Sequence, residues 1–329
     1  MRFLITGGAG FVGSHVAISL LDAGHEVVIL DNLSTGHRKA IPTGARFEII
    51  DLANAEDTNS LVSEGRWDAV LHFAALSLVG ASMAEPYTYL RQNTITSLNL
   101  IEACTRNGIE KFIFSSTAAL FGGSERTIPI SDSALIDPGS PYGESKFIIE
   151  RALRWADRIH GMRYACLRYF NAAGADRMGR LGEDHHPETH LIPLTIDAML
   201  GRRPALRLFG QNYPTPDGTC IRDYVHVADL ADAHIRAISR LDSGSVSYNL
   251  GNGSGFSNLE VIRSVERVSG KSVPWQWDDR REGDPAILIA DSTRIREETG
   301  WNPEFSDIDS IVATALAWRV RHPNGYASD

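Results

Sequence analysis

Two residues of this chain are spaced for proton transfer. Tyr142 and Lys146 stand four apart in a Y-G-E-S-K run at the start of a helical pattern, so they share one face. A tyrosine titrates near 10, roughly three pH units too weak an acid to serve as a base at neutral pH. A nearby ammonium favours the phenolate, and each tenfold gain in acidity corresponds to about 1.4 kcal/mol. Lys146 can supply that charge. Nine Tyr and four Lys placed at random would give roughly 0.1 pairs at this spacing, so chance explains the pair poorly. A hydroxyl should complete the set, and Ser115-Ser116-Thr117 closes an apolar run 25 residues before Tyr142. Hydroxyls there can bond a reacting oxygen and orient the tyrosine, although strands often end in Ser or Thr without such a role.

A second constellation suits phosphate. Gly7, Gly10 and Gly13 form G-x-x-G-x-x-G directly after the apolar run Phe3–Ile5 and before a helical pattern. Glycine serves where φ is positive or where a pyrophosphate touches the main chain. The following helix N-terminus offers free N–H groups. Asp31 ends the next apolar run, 18 residues beyond Gly13, where a carboxylate binds a ribose diol and repels a 2′-phosphate. The pattern therefore points to NAD rather than NADP.

A third group is ambiguous. His185, His186 and His190 cluster with Glu183 and Asp184, and His186 and His190 have i, i+4 spacing, a possible metal pair. Pro187 disfavours helix in the residue before it, so no metal is expected and His190 is expected to line a ligand cleft.

These groups need a frame. Phe3–Ile5, Val27–Leu30, Phe47–Ile50, Ala69–Phe73, Phe112–Phe114 and Ala165–Leu167 are near-continuous apolar runs, as in a parallel sheet buried on both faces. Helical patterns at 11–23, 54–64, 87–107 and 143–160 alternate with them. The expected fold is α/β: a doubly wound parallel Rossmann sheet with a smaller, interleaved α/β substrate domain. The first domain spans 1–171 with a return segment at about 220–250, and the second spans 172–329. In 143–160 the apolar residues Phe147, Ile148, Ile149, Ala152, Leu153, Trp155, Ala156 and Ile159 cover more than one face. One face packs on the sheet; the rest is core under a loop or a subunit interface.

Composition narrows the classes. A chain of 329 residues with 43% apolar and 22% charged residues fits a globular enzyme. The formal charge of −9 argues against a nucleic-acid or anionic-membrane partner. No apolar run is long enough to span a membrane. The three cysteines, Cys104, Cys166 and Cys220, form no disulfide framework, so the cytoplasm is the expected compartment. Only four of the 32 basic residues are lysines, which makes Lys146 conspicuous.

Taken together, these segments resemble the extended short-chain dehydrogenase/reductase family, in its branch acting on nucleotide sugars. The likeness runs along nearly the whole chain: GGAGFVGSH (7–15), LDNLSTG (30–36), HFAAL (72–76), FSSTAALFG (114–122), YGESK (142–146), RYFNAAGA (168–175), PETHLIPL (187–194), LFGQNYPTPDGT (208–219), RDYVHVADLADAH (222–234), YNLGNG (248–253) and RREGDPA (280–286). The resemblance implies 4-epimerisation of a UDP-sugar, UDP-glucose to UDP-galactose. NAD takes the C4 hydride while Tyr142 takes the hydroxyl proton, and the 4-keto sugar turns over before the hydride returns. It implies that Lys146 lowers the Tyr142 pKa and binds the nicotinamide ribose, and that Thr117 replaces the usual serine.

On the cofactor side the resemblance implies Gly7, Gly10, Phe11, Val12, Gly13, Asp31, Asn32, Asp51, Leu52, Phe73, Ala74, Ala75, Asn93, Tyr142, Lys146 and Tyr169. Ser77 stands where many relatives carry a lysine, and Gln92 where an asparagine is common, which weakens NAD retention; bound NAD is still expected to copurify. On the substrate side it implies Arg222 and Arg281 on the diphosphate, where arginine forks suit phosphate, and Asp284 on the uridine ribose. It places Asn171 near the sugar or phosphate, and Leu191, Phe209 and the Arg207 backbone around the uracil. His190 lines the cleft, and Leu288 is a size gate that would admit N-acetyl sugars. The family needs no metal, and a homodimer through 87–107 and 143–160 is implied. Two rival readings stand beside this one. A 4,6-dehydratase needs an Asp-Glu pair where Ala118-Ala119 stand, and a non-catalytic NAD sensor would lack the Tyr142–Lys146 pair. A UDP-pentose, UDP-hexuronate or UDP-N-acetylglucosamine 4-epimerase shares the same C4 chemistry.

Overall fold

Side chains alternate across the first strand. Phe3 and Ile5 enter one core and Leu4 the other, as the two-residue strand period requires. The next strand does the same with Val27 and Ile29 against Val28 and Leu30. Both faces of the sheet are therefore covered, which explains why its strands read as unbroken apolar runs. The computed structural model describes residues 1–122, 128–281 and 284–326.

Fourteen strands are described: β1 (Arg2–Thr6), β2 (Glu26–Asp31), β3 (Arg46–Ile49), β4 (Ala69–His72), β5 (Lys111–Thr117), β6 (Arg163–Tyr169), β7 (Asn171–Ala173), β8 (Leu206–Phe209), β9 (Ile221–Arg222), β10 (Tyr224–His226), β11 (Val246–Leu250), β12 (Phe256–Ser257), β13 (Trp275–Asp278) and β14 (Ile287–Leu288). The α-helices are α1 (Phe11–Asp22), α2 (Ala55–Ser63), α3 (Val79–Ala84), α4 (Pro86–Arg106), α5 (Pro141–His160), α6 (Leu191–Met199), α7 (Val227–Arg240), α8 (Asn258–Ser269), α9 (Thr293–Thr299) and α10 (Ile308–Arg321).

A seven-stranded sheet runs β11-β6-β5-β4-β1-β2-β3, and every pair in it is parallel. Val16, Ala17 and Leu20 of α1 and Leu230, Ala233 and Ala237 of α7 cover one face. Leu61 and Val62 of α2, Leu100 and Cys104 of α4, and Ile149 and Leu153 of α5 cover the other. The doubly wound Rossmann architecture expected from the sequence is present. The chain leaves this body after β6 and returns through α7 and β11. Around that return, α6, α8 and α10 pack with β8 and β10 into a separate core containing Ile192, Ile196, Val261, Val265, Ile311 and Val312. No helix among the described residues is long and apolar enough to cross a membrane.

Two helix starts differ from the sequence reading. Helix α5 begins at Pro141, because the Ser140 side chain accepts from the Gly143 N–H at 3.1 Å and proline needs no partner in a first turn. Helix α4 begins at Pro86, after the short α3. In α5, Ile149, Leu153 and Ala156 are buried, while Trp155 and Ile159 are 56% and 65% exposed. The apolar excess of this helix is thus left uncovered within one chain.

Candidate active site

The carboxyl ends of the sheet strands open into a cavity of about 1220 Å³. That exceeds the roughly 300–1,000 Å³ of a single small-ligand pocket. The second lobe closes its far side.

The glycine turn forms one end. Gly7 sits at φ +71°, and a Cβ there would lie 2.4 Å from the Ala74 nitrogen. A Cβ on Gly13 would lie 2.3 Å from the Gly7 carbonyl oxygen, so these two glycines let α1 start directly against the turn. Gly10 caps α1 without any side-chain hydrogen bond, which leaves the first-turn N–H groups of Phe11, Val12 and Gly13 aimed at the cavity and free for an anion. Asp31, at the end of β2, accepts from the Ala9 N–H at 3.0 Å and the Leu33 N–H at 2.9 Å. Burial raises its carboxyl above the usual range, against those two amides. Asn32, Asp51, Leu52, Phe73, Ala74 and Ala75 continue the wall. An uncapped helix start beside a ribose-sized acidic corner is a set of groups that fits a dinucleotide.

Asn93 lines this wall but is occupied internally. Its Oδ1 accepts from the Leu76 N–H at 2.8 Å, and its Nδ2 donates to the Leu76 carbonyl and Ser145 Oγ, both at 3.0 Å. These bonds hold the β4–α3 loop to α5 and so also position the wall that Asn93 lines.

At mid-cavity, β5 and α5 bring Thr117, Tyr142 and Lys146 together. Lys146 Nζ donates to the Ser115 carbonyl at 3.0 Å and lies 4.8 Å from the Phe114 ring centre and 5.9 Å from that of Tyr142. The Thr117 hydroxyl is within hydrogen-bonding reach of the Tyr142 phenol and accepts from the Ala119 N–H at 3.1 Å. Tyr169 OH and Ser115 Oγ are 2.6 Å apart beside them. Burial pushes the Lys146 ammonium down to about 7 and the Tyr142 phenol above its ordinary value. At Tyr142 desolvation outweighs the Thr117 hydrogen bond, which favours the phenolate.

The far wall holds Asn171, His190, Leu191, Arg207, Phe209, Arg222, Arg281 and Asp284. Arg222 and Asp284, expected to contact different parts of a ligand, are joined by an Nη2–Oδ1 bond of 2.5 Å. The Arg281 guanidinium lies over Phe209 with 3.9 Å to the ring centre. Asn171 donates to the Asp223 carbonyl at 3.0 Å. Residues 282 and 283 of the RREGDPA segment lie outside the described residues. Leu288 is a further correction. It is absent from the cavity lining because it packs, in β14, on the cluster of Ala118, Leu120, Phe121, Ile130, Phe170 and Ala290. Phe170 is the member of that cluster that reaches the cavity.

His186 and His190 do not pair, because the loop turns between them. His190 meets Glu183, His185 and Glu188, whereas His186 meets Asp184 and His37. The carboxylates hold His185 up at about 10 and raise His190, against the pull of burial. Sequence reading missed Glu188 and His37. It also missed Asp223, whose buried carboxylate accepts from the Asn252, Gly253 and Ala290 N–H groups at 2.8, 3.1 and 3.1 Å. Its signal was its place in the R-D-Y-V-H segment beside Arg222.

Known proteins resemble this chain along nearly its whole length. A UDP-glucose 4-epimerase of Lacticaseibacillus casei is 46% identical over 99% of this chain and 99% of its own length. One from Azospirillum brasilense is 49% identical over 96% of this chain and 91% of its own. The crystal structure of a Bifidobacterium longum UDP-glucose 4-epimerase in complex with NAD+ and UDP superposes with a TM-score of 0.93. It shares 35% identity and covers 99% of this chain and 100% of that one. The profile of the NAD dependent epimerase/dehydratase family matches residues 3–251, from β1 through the return strand β11. The chain therefore belongs to the NAD dependent epimerase/dehydratase family.

Proposed function

We propose that this chain interconverts UDP-glucose and UDP-galactose at C4 with tightly held NAD. The observation that carries the reading is the convergence of Thr117, Tyr142 and Lys146 midway between a dinucleotide cradle and a second wall bearing Arg222 and Arg281. When bound, NAD supplies the hydride acceptor and the cationic ring, and it returns the hydride so that no net oxidation results. Gly7, Gly10, Phe11, Val12 and Gly13 hold its pyrophosphate, and Asp31 and Asn32 its adenosine ribose. Tyr142 takes the 4-hydroxyl proton and later gives it back. Thr117 keeps the hydroxyl that bonds the same sugar oxygen, and Lys146 holds positive charge beneath the phenol.

Arg222 and Arg281 face the diphosphate, the first already oriented by Asp284. Leu191, Phe209 and the Arg207 backbone enclose the uracil. Buried Ala118 follows Thr117, so the acid–base pair that dehydration needs is missing there. The exposed faces of α4 and α5 support a homodimer, and three free, buried cysteines are compatible with the cytoplasm.

The test is a panel of UDP-hexoses, UDP-N-acetylhexosamines and UDP-pentoses, with epimers resolved by chromatography. UDP-glucose and UDP-galactose should interconvert. Tyr142→Phe should lose about 10²–10⁴ in kcat, the range for a positioned acid–base group, while still binding NAD and UDP-sugar. Full activity in that variant would refute the mechanism.

A further inference from the structure

The loop carrying Glu183, His185, Glu188 and His190 closes the cleft between the two lobes, and the proposed chemistry uses only the His190 edge of it. One ligating atom from each of these four side chains lies within 4.8 Å of the others. His185 Nδ1 is 3.3 Å from Glu183 Oε1 and 3.6 Å from Glu188 Oε1. His190 Nδ1 contacts the same Glu183 oxygen. Four ligands about 2.0–2.1 Å from a tetrahedral zinc stand about 3.3–3.4 Å from each other, close to the two His185 separations, while the tighter His190–Glu183 contact would open as an ion replaces its shared proton. Both rings turn the same nitrogen inward.

A second observation is independent of the clustering. The Glu188 side chain is 9% exposed, and its Oε2 is buried without a hydrogen-bond partner. The Arg319 guanidinium is 3.9 Å from it and is already held by both Asp197 oxygens, while the other oxygen, Oε1, accepts from the Thr189 and His190 N–H groups at 2.9 and 3.0 Å. A buried carboxylate oxygen without a partner is costly. On binding, the ion displaces the imidazole protons, and two carboxylates with two neutral imidazoles then sum to the charge a divalent cation cancels.

We propose that Glu183, His185, Glu188 and His190 form a structural site for one zinc-class divalent cation. The N₂O₂ donor set and the tetrahedral spacing select borderline metals over Mg²⁺ or Ca²⁺. The ion has no part in hydride or proton transfer. It fixes the loop that joins the cofactor end, where the Phe11 and His185 ring centres are 6.3 Å apart, to the start of α6 at Leu191. The inference stands apart from the identity of the sugar.

The experiment uses the full, tag-free chain with its bound NAD. Chelated protein is titrated with Co²⁺ and followed by visible absorption, then back-titrated with Zn²⁺. The expected result is one Co²⁺ per chain with the intense spectrum of a four-coordinate centre, bleached by Zn²⁺. Two paramagnetically shifted, exchangeable imidazole N–H signals should accompany it in the wild-type protein. His185→Gln and Glu188→Gln should each weaken Co²⁺ binding by more than the roughly 10–100-fold that an outer-shell loss costs, and His186→Gln should leave it unchanged. Absence of the wild-type spectrum overturns the proposal, whatever the variants do. So does a spectrum that His186→Gln abolishes and His185→Gln spares, since it would place the ion on the neighbouring His37–Asp184–His186 set.

Discussion

Burial sets the proton chemistry of Lys146 and Tyr142, and it opposes the charged form of each. A buried ammonium with no carboxylate beside it is costly, and here it is kept because the phenol needs it. Removing the charge should therefore separate stability from activity. In Lys146→Met, Tyr142 loses its nearest cation, its pKa rises, and the acid limb of kcat moves to higher pH, with kcat at neutral pH lower by about 10²-fold or more. A pH–rate profile of both proteins checks this, and an unmoved limb would count against the pair. The effect on stability has the opposite sign. The folded-state pKa of about 7 lies below the ordinary lysine value, so between about pH 7 and 10.5 the unfolded chain binds more protons and wild-type stability rises with pH. Lys146→Met should thus be the more stable protein at pH 7, by on the order of 2 kcal/mol once the unpaired Ser115 carbonyl is discounted, with the gap narrowing by pH 10. Denaturant midpoints at the two pH values measure it.

Those side chains are held by how α5 seats on the sheet. Glu150 accepts from Arg168 Nε at 2.9 Å and Nη2 at 2.7 Å, and from Ser116 Oγ at 2.6 Å. The bond set ties α5 to β5 and β6, one turn past Lys146 and one residue before Thr117. Glu150→Ala would leave a buried guanidinium unpaired, costing about 3–5 kcal/mol. Its kcat should fall with little change in KM, because the tilt of α5 sets Tyr142 against Thr117. Glu150→Leu combined with Arg168→Met should recover much of the stability, since an apolar replacement of the whole pair removes the stranded charge. Urea unfolding of the three proteins decides the point. None of this was legible in the sequence, where Glu150 reads as one polar residue on a mostly apolar helix. What was legible were elements with a strong period and a purpose-built end: β1, α1, β2, and the run from β5 to α5. The second lobe was less readable because β9, β12 and β14 are only two residues long, too short to show a period. Helix α8 did carry a usable signal. Ser257 and Glu260 form a capping box ahead of Val261, Ile262 and Val265.

At the scale of the molecule, the site was legible as a list and illegible as an arrangement. Cradle, proton-transfer set and far wall came from separate motifs, while the Arg222–Asp284 pair, the internal use of Asn93 and the retreat of Leu288 behind Phe170 depend on which strand lies beside which. The same holds for the surface. Ile95 and Leu98 on α4 are each 42% exposed, and Trp155 and Ile159 on α5 more so, and the two helices pack side by side on the sheet. Exposed apolar residues on neighbouring helices form a patch that water does not favour. A second copy turned about a two-fold axis would meet it with the same patch, giving an isologous four-helix contact. A stable dimer needs about 1,200–2,000 Å² in total, within the reach of two such helices per chain. A Trp155→Glu, Leu98→Glu double variant places an unpaired charge on each helix at that contact, so sedimentation equilibrium should find wild type as a dimer and the variant as a monomer. Because α5 carries Tyr142 and Lys146 on its opposite side, the monomer should also unfold at lower denaturant and turn over more slowly. An unchanged dimer in the double variant would move the interface elsewhere.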